Sequence, residues 1–210
     1  MKVDSIIFDV DGTIWNTTPV VANAWNRAID KLFPELNHVT AEMLKGQFGK
    51  TMDVIANNLF PTLSFENQNK LMDLCCDEER EELENNTKDL TYPDLQSTLK
   101  ILSEKNPLYI VSNCQAGYIE IVVEKTGIKP FIKDFECYGN TGKNKDENIS
   151  LLIERNGLKN PVYVGDTQGD YLACQKANVP FIWAAYGFGK PDDDNYLLQI
   201  DGLKELLNIL

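Results

Sequence analysis

Two acids one residue apart, Asp9 and Asp11, end an apolar run and are followed at once by Gly12 and Thr13 in the stretch IIFDVDGTIWNT. A second acidic pair, Asp166 and Asp170, closes PVYVGDTQGD, where another apolar run stops. Between these pairs lie Ser112 and Asn113, at the end of PLYIVSN, and two loop lysines, Lys143 and Lys145. Carboxylates so spaced can serve as nucleophile, as general acid and base, or as ligands to a hard cation. A hydroxyl and an ammonium can offset the charge of an anion. Each group also has a plainer reading, since Asp and Gly suit turns and Ser suits caps. Independent turns, however, need not place complementary chemistry on successive strand ends.

The surrounding elements account for that placement. Residues 3–10 read as a buried strand, short and apolar on both faces. Thr18-Pro19 is a helix start, with Thr18 as N-cap and Pro19 in the first helical position, and Val21, Ala24, Trp25, Ala28 and Leu32 continue it. Further helices are predicted over about 51–59 and from Ser64 into DEEREELENN, with no strand between 15 and 88. From Pro93, which opens a helix carrying Leu95, Leu99 and Leu102, helices and strands alternate. Strands are predicted at 107–113, weakly at DFECYG, at 161–166 and at 180–185. Helices are predicted around Ile119–Thr126, around Ile149–Ile153, over 169–178 and over 202–210. That alternation predicts an α/β fold, a doubly wound parallel sheet whose ligands gather at the carboxyl ends of the strands. The core is then 1–14 together with 89–210, and 15–88 is an all-helical cap inserted after the first strand.

Composition removes several classes of function. With a formal charge of -12 over 210 residues, the chain repels polyphosphate backbones, and no nucleic-acid partner is expected. Five cysteines without a C-x-x-C spacing read as reduced thiols rather than a disulfide or zinc framework, and the lone His38 cannot complete a zinc cluster. No apolar run approaches the roughly 18 residues of a membrane span, and the N-terminus lacks a signal peptide's apolar segment. A cytoplasmic protein, without a membrane partner, is expected. GQFGKT at 46–51 is not a phosphate-binding P-loop, because Leu44 stands where the first Gly is required and helical sequence precedes it. No G-x-G-x-x-G occurs, and a calcium loop would need ligands that are absent.

FDVDGT, VSN, a loop lysine and VGDTQGD together resemble the four motifs of the haloacid dehalogenase superfamily in its phosphatase branch. The helical insert resembles that of its phosphoglycolate phosphatase and β-phosphoglucomutase-like members, and the likeness spans the whole chain. One departure is Asn16, where relatives often carry an acid. The resemblance implies a Mg²⁺-dependent phosphatase acting on a small phosphorylated metabolite, as a monomer or small homo-oligomer. It implies Asp9 as nucleophile, forming an aspartyl phosphate, and Asp11 as general acid and base. Thr13 would hold the turn. Ser112, the backbone amide of Asn113 and a lysine would neutralise phosphoryl oxygens; Lys145, directly before the helix start DENI, is preferred to Lys143. The metal set would draw on Asp9, Asp11 through its backbone carbonyl, and Asp166, with Asp170 as an anchor. A sugar-phosphate mutase uses the same aspartyl phosphate and is the alternative. A receiver-like signalling domain would be shorter and would lack a helical insert after strand one. Hinges are expected near 15–17 and 90–92, with Lys50 reaching the substrate from the cap.

Overall fold

The computed structural model describes residues 3–210; Met1 and Lys2, which open the predicted core segment and the N-terminal stretch read above, lie outside the described residues. Six parallel strands form one sheet: β1 (Ser5–Phe8), β2 (Leu108–Ser112), β3 (Ile132–Cys137), β4 (Pro161–Gly165), β5 (Phe181–Ala184) and β6 (Leu198–Ile200). Their order is β3-β2-β1-β4-β5-β6. β1 is central: Phe8 lies opposite Ile110 of β2 on one side and Val164 of β4 on the other. The chain builds outward from β1 to β3, then returns to β4, so β1 and β4 flank the point where the order reverses. In open α/β sheets the crevice at such a point takes the ligand.

Alternate strand residues face opposite layers, as the two-residue period of a strand requires. Ile6, Phe8, Ile110, Val164 and Ile182 pack with Leu99, Ile119 and Leu206 on one face. Ile7, Tyr109, Val111, Tyr163 and Phe181 pack with Ile149, Leu152 and Cys174 on the other. These layers come from α5 (Leu95–Ser103), α6 (Tyr118–Lys125) and α10 (Leu206–Ile209) on the first face, and from α8 (Lys145–Asn156) and α9 (Gln168–Ala177) on the second. Burying each such aliphatic side chain stabilises the fold by about 1.5–3 kcal/mol.

Between β1 and α5 the chain carries helices only: α1 (Thr18–Leu32), α2 (Ala41–Lys45), α3 (Met52–Leu59) and α4 (Phe65–Asn85). α1 packs on α4, and Trp25 of α1 and Leu71 of α4 both belong to the apolar cluster that continues from the first sheet face. Ser64 starts α4 by accepting from the Asn67 amide. The two connections to these helices pair with each other: the Asn16 amide donates to the Leu90 carbonyl at 2.8 Å, and the Tyr92 amide to the Ile14 carbonyl at 3.1 Å. Among the described residues no helix is long and apolar enough to cross a membrane.

Three short elements had no sequence signal: α2, α7 (Tyr138–Thr141) and β6. Each is five residues or fewer and none contains the apolar run that marks the equally short β1, β2, β4 and β5; β6 pairs in parallel with the edge of β5. The start of α1 moves by one residue. Asn16 Oδ1, not a Thr hydroxyl, accepts from the Thr18 amide at 3.2 Å, and Thr18 is already helical. α5 begins at Leu95 rather than Pro93, because Asp94 is left-handed at φ 63°.

Candidate active site

The carboxyl end of β1 runs into a tight loop. The amides of Thr13 and Ile14 donate back to the Val10 carbonyl at 3.2 and 2.7 Å, and the Gly12 amide donates to the Trp15 carbonyl. Gly12 has φ +86°, and a Cβ there would fall 2.1 Å from Asp166 Oδ2, so only glycine allows the two strand ends this approach. Asp9, 1 % exposed, and Asp166, fully buried, thereby meet at the reversal point of the sheet.

Asp170 joins them from the first turn of α9. Thr167 and Asp170 cap that helix reciprocally: Thr167 Oγ1 accepts from the Asp170 amide at 3.2 Å, and Asp170 Oδ2 accepts from the Thr167 amide at 3.0 Å. The other oxygen, Asp170 Oδ1, accepts from Lys145 Nζ at 2.5 Å. Lys145 is the first residue of α8, where Asn144 and Glu147 form a capping box. Its ammonium is buried, and it also donates to Asp9 Oδ1 at 2.7 Å. Lys143 is exposed and reaches none of these acids. Of the two lysines, the structure brings Lys145 to the site.

Asp9, Asp166 and Asp170 each offer an oxygen within 4.8 Å of the others. Three buried carboxylates thus face one ammonium, and Asp9 Oδ2 is buried without any hydrogen-bond donor. Buried charge without a partner costs several kcal/mol. A buried, oxygen-only, electron-rich set of this kind fits a hard divalent cation. Asp166 is further held by the Phe188 amide at 2.7 Å and by Thr13 Oγ1 at 3.3 Å. Burial, reinforced by repulsion from Asp170 and Asp9, pushes the Asp166 carboxyl well above the usual range. Asp9 is pushed up to about 6, mainly by burial and then by Asp170, against the pull of Lys145.

The Asp11 carboxylate points away from that cluster. Its Oδ1 accepts from Tyr118 Oη at 2.8 Å, Trp15 Nε1 at 3.1 Å and Thr17 Oγ1 at 3.3 Å. Of the four acids named for a metal, Asp11 is the one whose side chain lies outside the cluster, which leaves its backbone carbonyl. Burial pushes the Asp11 carboxyl up to about 8 despite the Tyr118 hydrogen bond, and the charges of Asp9 and Glu79 add to the rise.

Ser112 is buried at the end of β2, and its Oγ accepts from the Cys114 amide at 3.4 Å. Asn113 Nδ2 donates to the Gly49 carbonyl at 2.8 Å, tying the end of β2 to the loop between α2 and α3. Phe48 of that loop packs edge-on against Phe188. With α1 and α4 these contacts close over Asp11 and leave a crevice of about 30 Å³, room for about a water molecule. Lys50 lines this crevice, but its ammonium donates to the Gly46 carbonyl at 2.8 Å and to Gln47 Oε1 at 3.1 Å. It is exposed and does not reach the acids.

Sequence reasoning missed the residues that hold the acids in place: Trp15, Thr17 and Tyr118 around Asp11, and Gly187 and Phe188 behind Asp166. A Cβ on Gly187 would lie 2.2 Å from Asp166 Cβ, so this glycine is required for the approach. A signal existed in YGFGKP, a glycine pair just past the end of β5. Nothing local distinguishes Tyr118, which reaches Asp11 from a helix more than one hundred residues downstream.

The chain has full-length relatives. A phosphoglycolate phosphatase of Photobacterium profundum is 26% identical over 221 residues, covering 98% of this chain and 94% of that protein. The pyrophosphatase PpaX of Oceanobacillus iheyensis is 23% identical, covering 100% and 98%. A solved haloacid dehalogenase-like family hydrolase from Streptococcus pneumoniae superposes with a TM-score of 0.84 at 19% identity, covering 99% of this chain and 98% of its own, and so shares the fold. The sequence pattern of the haloacid dehalogenase-like hydrolases matches residues 6–184, a span that opens just before Asp9 and includes Ser112, Lys145, Asp166 and Asp170. This chain belongs to the haloacid dehalogenase-like hydrolase family.

Proposed function

We propose that the protein is a phosphatase that hydrolyses a small phosphomonoester through a phosphoaspartate on Asp9, with Asp11 as general acid and base. The observation that carries this reading is the state of Asp9. Lys145 holds Oδ1, while Oδ2 is buried and accepts no hydrogen bond, so one oxygen keeps a lone pair free for phosphorus. The names of the relatives, phosphoglycolate phosphatase and pyrophosphatase, support phosphoryl chemistry.

In the first step Asp9 Oδ2 bonds to phosphorus as the ester P–O bond breaks, and Asp11 gives its proton to the departing alkoxide. Asp11 is suited to this because its carboxyl is pushed up to about 8 and stays protonated at neutral pH. The three donors around it all reach Oδ1, which leaves Oδ2 to carry the proton. In the second step water attacks the same phosphorus, Asp11 takes the proton of that water, and phosphate leaves as the Asp9 carboxylate is restored. Ser112, the Asn113 amide and Lys145 offset charge on the phosphoryl oxygens, where phosphoryl transfer most needs it. Thr13 keeps Asp166 and the Asp9 loop in register. Asp9, Asp166 and the Asp11 carbonyl would hold Mg²⁺, with Asp170 fixing Lys145 beside them. When bound, the ion supplies neutralisation of the phosphoryl charge. Asn113 bonded to Gly49 and Phe48 packed on Phe188 cover Asp11, and lifting of α1–α4 would open the way for an ester, with the paired connections at 14–16 and 90–92 as hinges.

Acid quenching during turnover of p-nitrophenyl phosphate, followed by peptide mass spectrometry, tests this. One phosphoryl group on the peptide containing Asp9 is expected, and Asp9→Asn should lose it. Phosphate release without that adduct, or Asp9→Asn activity above about 1% of wild type, would overturn the reading. With a sugar phosphate, an isomer in place of free phosphate would identify a mutase.

A further inference from the structure

The crevice over Asp11 contains an acid that the chemistry above does not use. Glu79, on α4, is 4 % exposed. Its Oε2 accepts from Trp25 Nε1 at 2.8 Å and its Oε1 from Gln115 Nε2 at 3.3 Å. Each oxygen retains capacity for another donor. Across the crevice Asn113 Oδ1 is also buried and accepts nothing, while its Nδ2 donates to the Gly49 carbonyl. Trp25, Phe48 and Tyr118 present aromatic rings between them. Among the described residues that line the crevice, Lys50 is the one cation, and its ammonium is held by its own loop. The surface that would meet a leaving group therefore offers the open acceptors of Glu79 and Asn113 beside aromatic rings, and with Asp11 carrying its proton, Glu79 is the acid there that supplies negative charge.

We infer that Glu79 sets the specificity of the enzyme: the leaving alcohol carries a hydrogen-bond donor, best an ammonium, and an ester carrying a carboxylate is rejected. This rests on the phosphatase reading of the site. An ammonium between Glu79 and the rings of Trp25 and Phe48 gains a charge-assisted hydrogen bond and a cation–π contact. A carboxylate in the same place meets Glu79 in surroundings of low dielectric, where like charges repel strongly, and it leaves Asn113 Oδ1 without a donor. Burial pushes Glu79 up to about 7 in the closed crevice, and an adjacent ammonium draws it back to the ionised form. Phosphoglycolate carries a carboxylate, so the inference separates this chain from the substrate in the name of its Photobacterium relative.

Three esters of similar size that differ at the far end test it: 2-aminoethyl phosphate, 2-hydroxyethyl phosphate and phosphoglycolate. kcat/KM is measured for each with Mg²⁺, for wild type and Glu79→Gln, with p-nitrophenyl phosphate reporting the chemistry. Wild type should prefer aminoethyl phosphate to phosphoglycolate by about tenfold or more, with hydroxyethyl phosphate between them, and Glu79→Gln should shrink that ratio about tenfold. A wild-type ratio near one or inverted, or a ratio unchanged in Glu79→Gln that is folded by circular dichroism, overturns the inference. If Glu79→Gln does not fold, Glu79→Asp is used; it withdraws the carboxylate by one methylene and should give an intermediate ratio, and an unchanged ratio counts against Glu79. Wild type that turns over p-nitrophenyl phosphate without preference among the three overturns the inference alone. Wild type that turns over none of the four overturns the phosphatase reading, and the inference falls with it.

Discussion

Glu79→Gln also exposes what it costs to bury this acid, and the size follows from the structure. Burial outweighs the hydrogen bonds from Trp25 and Gln115 and raises the carboxyl from 4.5 to about 7. Below 4.5 both the folded and the unfolded chain hold the proton, and the contribution to stability is fully present. As pH rises the unfolded chain releases its proton first, so stability falls until the folded group ionises near 7. A shift of about 2.5 units at about 1.36 kcal/mol each gives a loss of about 3 kcal/mol. Gln stays neutral. Its carbonyl can accept from Trp25 and its amide can donate to Gln115 after that side chain rotates, so both partners remain satisfied. The stability of Glu79→Gln relative to wild type should therefore rise by about 3 kcal/mol between about pH 4.5 and pH 8 and then level off. Asp11 feels the charge of Glu79, so its carboxyl falls in the variant and adds to the difference with the same sign. Urea unfolding at a series of pH values, with the two proteins compared at each pH, measures the quantity directly. For a chain of this size the melting temperature should gain about 6–12 °C at the alkaline end. A difference that stays flat within about 0.5 kcal/mol across the range would mean that Glu79 is hydrated in the folded state, and the burial argument would fail.

Lys145→Ala leaves the buried carboxylates of Asp9 and Asp170 unpaired and should destabilise by about 3–5 kcal/mol while abolishing turnover, whereas Lys143→Ala should change neither; equal losses in denaturation and kcat/KM would refute the assignment. Asp166→Asn should weaken Mg²⁺ binding by about 10²-fold or more in titration calorimetry, and an unchanged affinity would remove it from the metal site. Gly12→Ala should cost far more activity than Gly142→Ala. Both glycines have positive φ, but a Cβ at Gly12 falls 2.1 Å from Asp166 Oδ2 while one at Gly142 meets nothing within 4 Å. Comparable kcat/KM for the two variants would show that the Gly12–Asp166 approach does not matter to the chemistry.

The architecture and the polar groups at the strand ends are written into the chain locally. Apolar runs of strand length alternating with helical stripes specify a parallel sheet, and the rule that ligands gather at strand carboxyl ends singles out Asp9, Ser112 and Asp166 from the chain alone. These are local properties: burial of both faces writes itself into a single run such as SIIF at β1, and a capping box writes itself into Thr167–Asp170. The short strands β1, β2, β4 and β5 were legible because each is an apolar run, whereas α2, α7 and β6 are equally short without one and were not. The sequence favours Lys145 over Lys143 by its place directly before a helix start, and the folded chain puts its ammonium between Asp9 and Asp170. Lys143 and Lys145 are two residues apart in one loop, and it is the capped start of α8 that turns Lys145 inward and leaves Lys143 in solvent. The surroundings of Asp11 and Glu79 depend on tertiary packing alone. The three donors that gather on Asp11 come from two separate parts of the chain, and Glu79 looks like one more acid in a charged helix until α1 and the end of β2 close over it. Desolvation, which pushes these acids upward, depends on everything packed around a group, and no window of sequence contains that sum.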